Sequence, residues 1–146
     1  MVFLTHLGFG MLIGSYSHSF SGVLLSAVGS VVPDIDIPFS KVSKLTFNHK
    51  GAKLKHRGIT HSVFTPLIIY FIYYYLFKNQ AILPFILGYF SHIILDMFNP
   101  KGVSLFSPFI KHSFSFPITL RTGSKQDYLI GLCFWLADLF LFIKSF

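Results

Sequence analysis

Four apolar segments dominate this chain and restrict its possible folds more than any other feature. Two basic loops and one short link separate them, and the segments cover residues 3–32, 61–78, 81–98 and 128–143. Overall, 53% of the residues are hydrophobic and 12% are charged, whereas an average soluble domain has about 25% charged residues. This composition predicts one membrane-embedded domain over residues 1–146. We expect an all-α integral membrane protein, a small helical bundle of three to four spanning or re-entrant segments with two polar loops on one side.

The distribution of basic residues predicts how the chain is oriented. The KNQ link between the second and third apolar segments is short, so these segments should form an antiparallel helical hairpin with both basic loops on one side. Because cytoplasmic loops are enriched in Lys and Arg, we expect a multi-pass protein of the inner (cytoplasmic) cell membrane with these loops in the cytoplasm. The first 40 residues contain no Lys or Arg, and this confinement of the cations to loops disfavours a nucleic-acid partner despite the net charge of +7.

The first apolar segment has two possible conformations. A single helix from His6 to Val32 would be about 40 Å long and would span a bilayer. Alternatively, the small and polar residues of GSYSHSFSG, at residues 14–22, break the segment into a re-entrant helical hairpin, and this composition favours the break. The segment lacks the positive region and cleavage site of a signal peptide, so we expect it to be retained. Only the hairpin would return His6 to the end of the segment that precedes PDID.

The third apolar segment contains two polar side chains, His92 and Asp96, within the stretch GYFSHIILDMFNP. Residues four apart lie on one face of a helix, about one turn from each other. Burying a titratable group in apolar surroundings is costly unless another group pairs with it. A bound metal cation would offset that cost, because imidazole and carboxylate are both good ligands for zinc and related ions.

Asp34 and Asp36 stand between two prolines in VVPDIDIPFS. The prolines favour an extended path, in which residues two apart point the same way. Two carboxylates that converge repel each other unless cations lie between them. The alternative is that both are solvated acids at a helix stop.

A second polar stretch, KHRGITHSV, contains His56, Arg57 and His61. Thr60 is a candidate N-cap for the second apolar helix, which would place His61 in its first turn. Arg57 has the planar fork that suits phosphate oxygens, although a lipid-headgroup anchor is an equal alternative.

The predicted topology brings these groups to one membrane border, because the second apolar helix starts where the third ends. The predicted cluster consists of Asp34, Asp36, His56, His61, His92 and Asp96, with His6 added if the first segment folds back. Six ligands exceed the four that one tetrahedral zinc needs, so we expect a divalent metal, with zinc as the first candidate, as one or two ions.

The remaining segments give simpler predictions. The alternating stretch FSFPITLRT, at residues 114–122, indicates a short strand or hairpin. Asp138 lies within the last apolar helix as either a neutral, hydrogen-bonded carboxyl or a functional group. Cys133 is the single cysteine and should be a core or lipid-facing residue. The histidines without a companion at ligand spacing should be turn or interface residues, and these are His18, His49 and His112.

Four motifs follow one another along the chain: PDIDIPFS, HRGITHS, GYFSHIILDMFNPKGVSLF and FPITLRTGS. With His6 before them, they resemble the YdjM-type family of membrane-bound, metal-dependent hydrolases, in order and over nearly the whole chain. The matching positions are His6, Pro33, Asp34, Asp36, Pro38, Ser40, His56, Arg57, Gly58, Thr60, His61, Ser62, Gly88, Tyr89, Ser91, His92, Asp96, Pro100 and Gly102. The resemblance implies an integral membrane hydrolase distantly similar to zinc phospholipase C-type enzymes, and it implies His6 as a metal ligand. The loop between PDID and HRG is compact for the family.

The leading functional hypothesis is metal-dependent hydrolysis of a phosphoester in a lipid or lipid-linked substrate at the cytoplasmic membrane face. A metal-activated water would attack, Asp34 or Asp36 would bridge the metals or act as general base, and Arg57 would stabilise the developing phosphate charge. One alternative is a non-catalytic membrane protein that a structural metal stabilises and that has an interaction or regulatory role. Another is an ion or proton transporter. The sequence leaves the oligomeric state open.

Overall fold

The computed structural model describes residues 1–36, 59–110 and 112–144, and the side chains of residues 35 and 36 fall outside this description. These residues form five α-helices, two short 3-10 helices and no strand. The α-helices are α1 (Phe3–Ser15), α2 (Phe20–Gly29), α3 (Phe64–Phe77), α4 (Leu83–Met97) and α5 (Lys125–Lys144). The 3-10 helices are Val32–Asp36 and Ile59–His61. The all-α class is confirmed for this part of the chain, and the helices outnumber the expected three to four because the first apolar segment forms two.

The first apolar segment is a helical hairpin, so the alternative of a single long helix is wrong. Between α1 and α2, His18 takes a positive φ of 48°, as befits a turn residue. Ser19 caps α2, because its Oγ accepts a hydrogen bond from the N–H of Gly22 at 3.1 Å. Gly14 packs against Val23, and the chain therefore returns along α1.

Small residues allow α2 to pack closely against both α1 and α4. Ser26 on α2 donates from its Oγ to the carbonyl of Gly10 on α1 at 2.7 Å. The carbonyl of Ser26 faces Gly88 on α4, where a Cβ atom would overlap it. Such close backbone approach is typical of helix contacts made by small residues in membrane proteins. The contact holds α4, and His92 one turn beyond it, against the end of α2.

α3 lies at the periphery, and Pro66 is the buried residue of this helix. The hydroxyl of Tyr89 on α4 donates to the carbonyl of Thr60 at 2.5 Å, just ahead of α3. The start of α3 therefore lies beside α4, as the short KNQ link predicts for an antiparallel hairpin.

The prediction that Thr60 caps α3 is wrong, because the helix begins later, at Phe64. Residues Ile59–His61 form a separate 3-10 turn ahead of it. Ser62 takes part of the capping role, since its Oγ accepts from the N–H of Phe64 at 3.3 Å. His61 consequently lies before α3 and not in its first turn.

The prediction of an extended PDID segment is also wrong, because Val32–Asp36 is a 3-10 helix. The N–H of Asp34 donates to the carbonyl of Val31 at 3.1 Å, which closes a turn. The fixed φ of Pro33 suits the first turn of a helix, where its missing N–H is not needed. The alternation that would point both carboxylates the same way therefore does not apply.

The predicted strand or hairpin at residues 114–122 is absent from the described chain. Phe114 makes one isolated antiparallel bridge with Val103. Farther along, the N–H groups of Phe116 and Leu120 donate to the carbonyls of Met97 and Phe98. The segment thus supplies donors to the otherwise unpaired carbonyls at the end of α4, and Pro117 interrupts any ladder because it lacks an N–H.

α5, with 20 residues, is the one helix among the described residues that is long and apolar enough to cross a membrane. It begins three residues before the predicted start of the last apolar helix. Cys133 is exposed on α5, which agrees with the lipid-facing alternative. The other apolar helices are shorter than the roughly 20 residues that a full span requires.

We expect Gly88→Ala to destabilise the fold, because the added Cβ overlaps the backbone of Ser26 and α2 must move away from α4. Overpacking of this kind costs about 1–3 kcal/mol. Thermal unfolding in detergent, followed by circular dichroism, measures the loss. Leu87→Ala, at the exposed neighbouring position, is the control and should unfold close to the wild type. An unchanged midpoint in Gly88→Ala would contradict the close packing of α2 on α4.

Candidate metal centre

Five side chains from four elements meet at one end of the bundle. They are His6 from α1, Asp34 and His61 from the two 3-10 helices, and His92 and Asp96 from α4. The three histidines and Asp96 are at most 2% exposed, whereas the side chain of Asp34 is 20% exposed. The site is thus buried on the side of α1 and α4 and reaches the surface at Asp34.

His6, His92 and Asp96 form the first group of potential metal ligands, with ligand atoms within 4.8 Å of one another. His6 Nε2 lies 3.3 Å from Asp96 Oδ1, and His92 Nε2 lies 3.9 Å from Asp96 Oδ2. The His6 and His92 rings stack with centroids 3.9 Å apart. The helical hairpin therefore brings His6 back to the site.

Asp34, His61 and His92 form the second group, and His92 belongs to both. The Nε2 atoms of His61 and His92 are 3.7 and 3.5 Å from Asp34 Oδ1, and 3.2 Å from each other. Each group combines imidazole nitrogens with a carboxylate, which is a donor set that suits zinc.

The tautomer of His92 follows from its partner on the other side of the ring. His92 Nδ1 lies 2.7 Å from the carbonyl oxygen of Ser30, and because a carbonyl only accepts, Nδ1 carries the proton. In the neutral ring, Nε2 then presents its lone pair to the two groups of ligands. A backbone carbonyl in this role is a typical outer partner of a metal-binding histidine.

The electrostatics of the cluster favour a cation among these atoms. His92 Nε2 faces the oxygens of Asp34 and Asp96, so a neutral ring would set its lone pair against two carboxylates. Burial raises the pKa of the Asp34 carboxyl, but the attraction of the neighbouring His61, His92 and His6 rings outweighs burial and lowers the pKa overall. The ionised carboxylate is therefore favoured, and the residues present fit a divalent metal.

The Nδ1 atom of His6 is buried and makes no hydrogen bond within the described part of the chain. An unpaired buried nitrogen is costly, so a histidine held in this way usually serves a purpose beyond packing.

The structure thus brings together five of the predicted metal ligands. The other two predicted ligands are His56, which lies outside the described residues, and Asp36, whose side chain does. Arg57, the predicted phosphate-binding residue, also lies outside the described residues. Asp138 lies apart on α5, and its Oδ2 is buried with no hydrogen bond to the described residues. Of the lone histidines, His18 lies in a turn, His112 contacts the ring of Phe114, and His49 is outside the described chain.

Three groups that contact the site or its supporting helices were not predicted. The Ser30 carbonyl accepts from His92, and the Met1 nitrogen donates to Asp96 Oδ1 at 2.9 Å. The third is Asp127, which is fully buried and binds α1. The S-x-x-D spacing of Ser124 and Asp127 is a local signal of a helix start, but it does not indicate a contact with α1.

The fold and this cluster define an all-helical protein whose short apolar helices surround a buried set of histidines and aspartates. The sequence model of the YdjM inner membrane protein family matches residues 1–144, and the chain therefore belongs to this family. The family resemblance read from the motifs is confirmed, and with it the assignment as a membrane protein.

Individual relatives support the same placement. The uncharacterized protein YvsG of Bacillus subtilis (strain 168) is 29% identical over 139 residues, which are 90% of this chain and 86% of YvsG. The inner membrane proteins YdjM of Escherichia coli (strain K12) and Shigella flexneri are each 31% identical over 122 residues, which are 77% of this chain. The match spans 60% of the length of these two relatives. No solved structure matches the chain significantly.

We expect His92→Ala to lower bound zinc more than His6→Ala, because His92 belongs to both groups of ligands and His6 to one. Zinc per chain, measured by plasma mass spectrometry on purified protein, gives the comparison. His112→Ala removes an exposed histidine outside the cluster and should retain the wild-type zinc content. Wild-type zinc in His92→Ala would contradict its role as the shared ligand.

Proposed function

We propose that this protein is a metal-dependent hydrolase that acts at the membrane surface on a phosphoester. The observation that carries the proposal is the pair of three-residue groups that share His92 and converge on one buried point. Because the single lone pair of His92 Nε2 binds one ion at a time, the two groups together would hold one divalent ion, with zinc as the first candidate, and a second ion would need ligands beyond these five. A metal held in this way can serve a hydrolytic reaction.

The described residues divide into those that would hold the metal and one that water can reach. His6, His61, His92 and Asp96 are buried and would bind and orient the ion. When bound, the metal lowers the pKa of water and polarises the scissile phosphoryl oxygen. Asp34, the partly exposed member, would either complete the second group of ligands or accept a proton from the attacking water.

The substrate class that fits best is a lipid or lipid-linked phosphoester at the cytoplasmic face of the inner membrane. Membership of an inner membrane protein family supports a substrate from the bilayer. The basic segments that flank the ligand motifs in the sequence support a multi-pass topology with this end in the cytoplasm, because Lys and Arg are enriched on that side. Arg57, at the HRG motif, is the residue we expect to bind the phosphate oxygens.

A non-catalytic role is the second candidate, and the burial of the cluster favours it. Four of the five ligands are almost completely buried, and closed coordination is typical of structural metal sites. In that case the metal would tie α1, α4 and the two 3-10 helices together, and the protein would act by interaction or regulation.

Asp96→Asn should abolish both zinc binding and phosphoester hydrolysis, because the amide keeps the shape of the side chain and removes the charge that His6, His61 and His92 face. Zinc content and hydrolysis of phospholipid in mixed micelles are the measurements. Asp138→Asn makes the same chemical change on α5 and should leave both unchanged. Retention of zinc and activity in Asp96→Asn would exclude the proposed centre.

Chelation distinguishes the hydrolase from the structural alternative. A hydrolase should keep its helices in EDTA, lose hydrolysis and regain it when zinc is restored. A structural site should instead lose helix protection around α1 and α4 on chelation, because metal binding contributes to folding there. Circular dichroism and amide hydrogen exchange, recorded with activity on the same samples, separate the two outcomes.

A further inference from the structure

The first helix begins without a cap from its own sequence. Val2 occupies the N-cap position of α1, and its apolar side chain cannot accept a hydrogen bond. The first N–H groups of a helix need acceptors from elsewhere. Asp127 on α5 provides one, because the N–H of Val2 donates to its Oδ2 at 2.9 Å.

The Asp127 carboxylate joins the starts of two helices. The N–H of Gly123, just ahead of α5, also donates to Oδ2 at 2.9 Å, and the hydroxyl of Thr5 donates to Oδ1 at 3.0 Å. Asp127 is 0% exposed, so these bonds lie in a site shielded from water. A negative charge is stabilised at a helix start, where the helix dipole is positive, and here one carboxylate serves α1 and α5 together.

Thr5 fits into a notch on α5 next to this carboxylate. Gly131 lies one helical turn beyond Asp127, and a Cβ at residue 131 would lie 2.8 Å from Thr5 Oγ1. The absence of a side chain at Gly131 lets α1 approach α5 closely enough for the hydroxyl to reach Asp127. Thr5 is itself completely buried.

The next residue along α1 is His6, and its position depends on how Thr5 is held. Neighbouring residues on a helix point about 100° apart, so Thr5 faces α5 while His6 faces α4. The His6 ring stacks on His92, and its Nε2 is 3.3 Å from Asp96. A rotation of α1 about its axis would break both the Thr5 hydrogen bond and this alignment.

We propose that Asp127 is a positioning residue for the metal centre: through Val2 and Thr5 it sets the rotation and axial position of α1 and thereby places His6 against His92 and Asp96. This inference rests on the proposed metal-binding function of the cluster. Asp127 itself does not contact the cluster in this assignment, and its effect passes through His6.

A double-mutant cycle tests the route through His6. Zinc affinity is measured by competition with a zinc-binding dye for the full-length protein in detergent, for wild type, Asp127→Asn, His6→Ala and the double variant. The amide of asparagine has one acceptor oxygen, so in Asp127→Asn it cannot accept both from the N–H of Val2 and from the hydroxyl of Thr5. We expect the zinc affinity of this variant to be at least about tenfold lower than that of the wild type. This is the lower end of the loss measured when groups that orient a metal-binding histidine are removed. In the His6→Ala background the same change should alter affinity by less than about twofold.

Two further comparisons separate positioning from general stability. If Asp127 had a purely structural role, Asp127→Asn would weaken zinc binding equally in the wild-type and His6→Ala backgrounds, and that result would overturn the inference. An unchanged zinc affinity in Asp127→Asn would also overturn it. Asp138→Asn on the same helix is the matched control and should leave affinity unchanged. If Asp127→Asn does not fold, Thr5→Val replaces the hydroxyl with a methyl group and should show the same loss of zinc affinity. Thr5→Ser keeps the hydroxyl and should retain the affinity of the wild type.

A metal-free measurement keeps this inference distinct from the proposed function. If the wild type binds no zinc, the proposed function fails, and modification of His6 by diethyl pyrocarbonate then decides the role of Asp127. His6 is buried in the wild type, so Asp127→Asn should speed the modification of His6 while exposed His18 and His112 react as before. Mass spectrometry of peptides reads each site. An unchanged rate at His6 would overturn the inference.

Discussion

The hydrogen bond between His92 and the Ser30 carbonyl connects the packing of the helices to the chemistry of the site. It requires the end of α2 to lie directly against α4, and that approach is possible because Gly88 leaves room for the carbonyl of Ser26. The bond assigns the proton of His92 to Nδ1 and turns Nε2 toward the two carboxylates. The position and the tautomer of the shared ligand therefore both depend on a contact between small residues.

Around His92 the chain gathers several electron-pair donors at one place. Two carboxylates and three imidazoles lie within a few ångströms of one another, and most are shielded from water. A bound cation is the simplest way to offset the desolvation and mutual repulsion of such groups. Asp34 differs from the others because it is partly exposed, and this difference is the feature that the proposed hydrolase uses and the structural alternative does not.

The helices and the proximity of His6, His92 and Asp96 were predictable from the sequence where the signal is local. The four-residue spacing of His92 and Asp96 directly implies one face of a helix, and the run of Ser and Gly at residues 14–22 predicts the turn that returns His6. Sequence-based prediction failed where several local conformations are compatible with one pattern. Pro33 suits a 3-10 turn as well as an extended strand, and Thr60 lies too early to cap α3. The alternation of apolar and polar residues at 114–122 does not mark a strand, because N–H groups of this segment donate to carbonyls at the end of α4.

Local patterns in the chain were sufficient to identify an all-helical membrane protein of the YdjM family with histidines and aspartates as candidate ligands. Those conclusions follow from hydropathy and from motifs whose residues lie within a few positions of one another. The contact of Ser30 with His92 and that of Asp127 with α1 became evident only from the packing of the helices. These contacts join residues 62 and 122 positions apart, respectively, and such distances are set by how the helices pack and not by any local spacing.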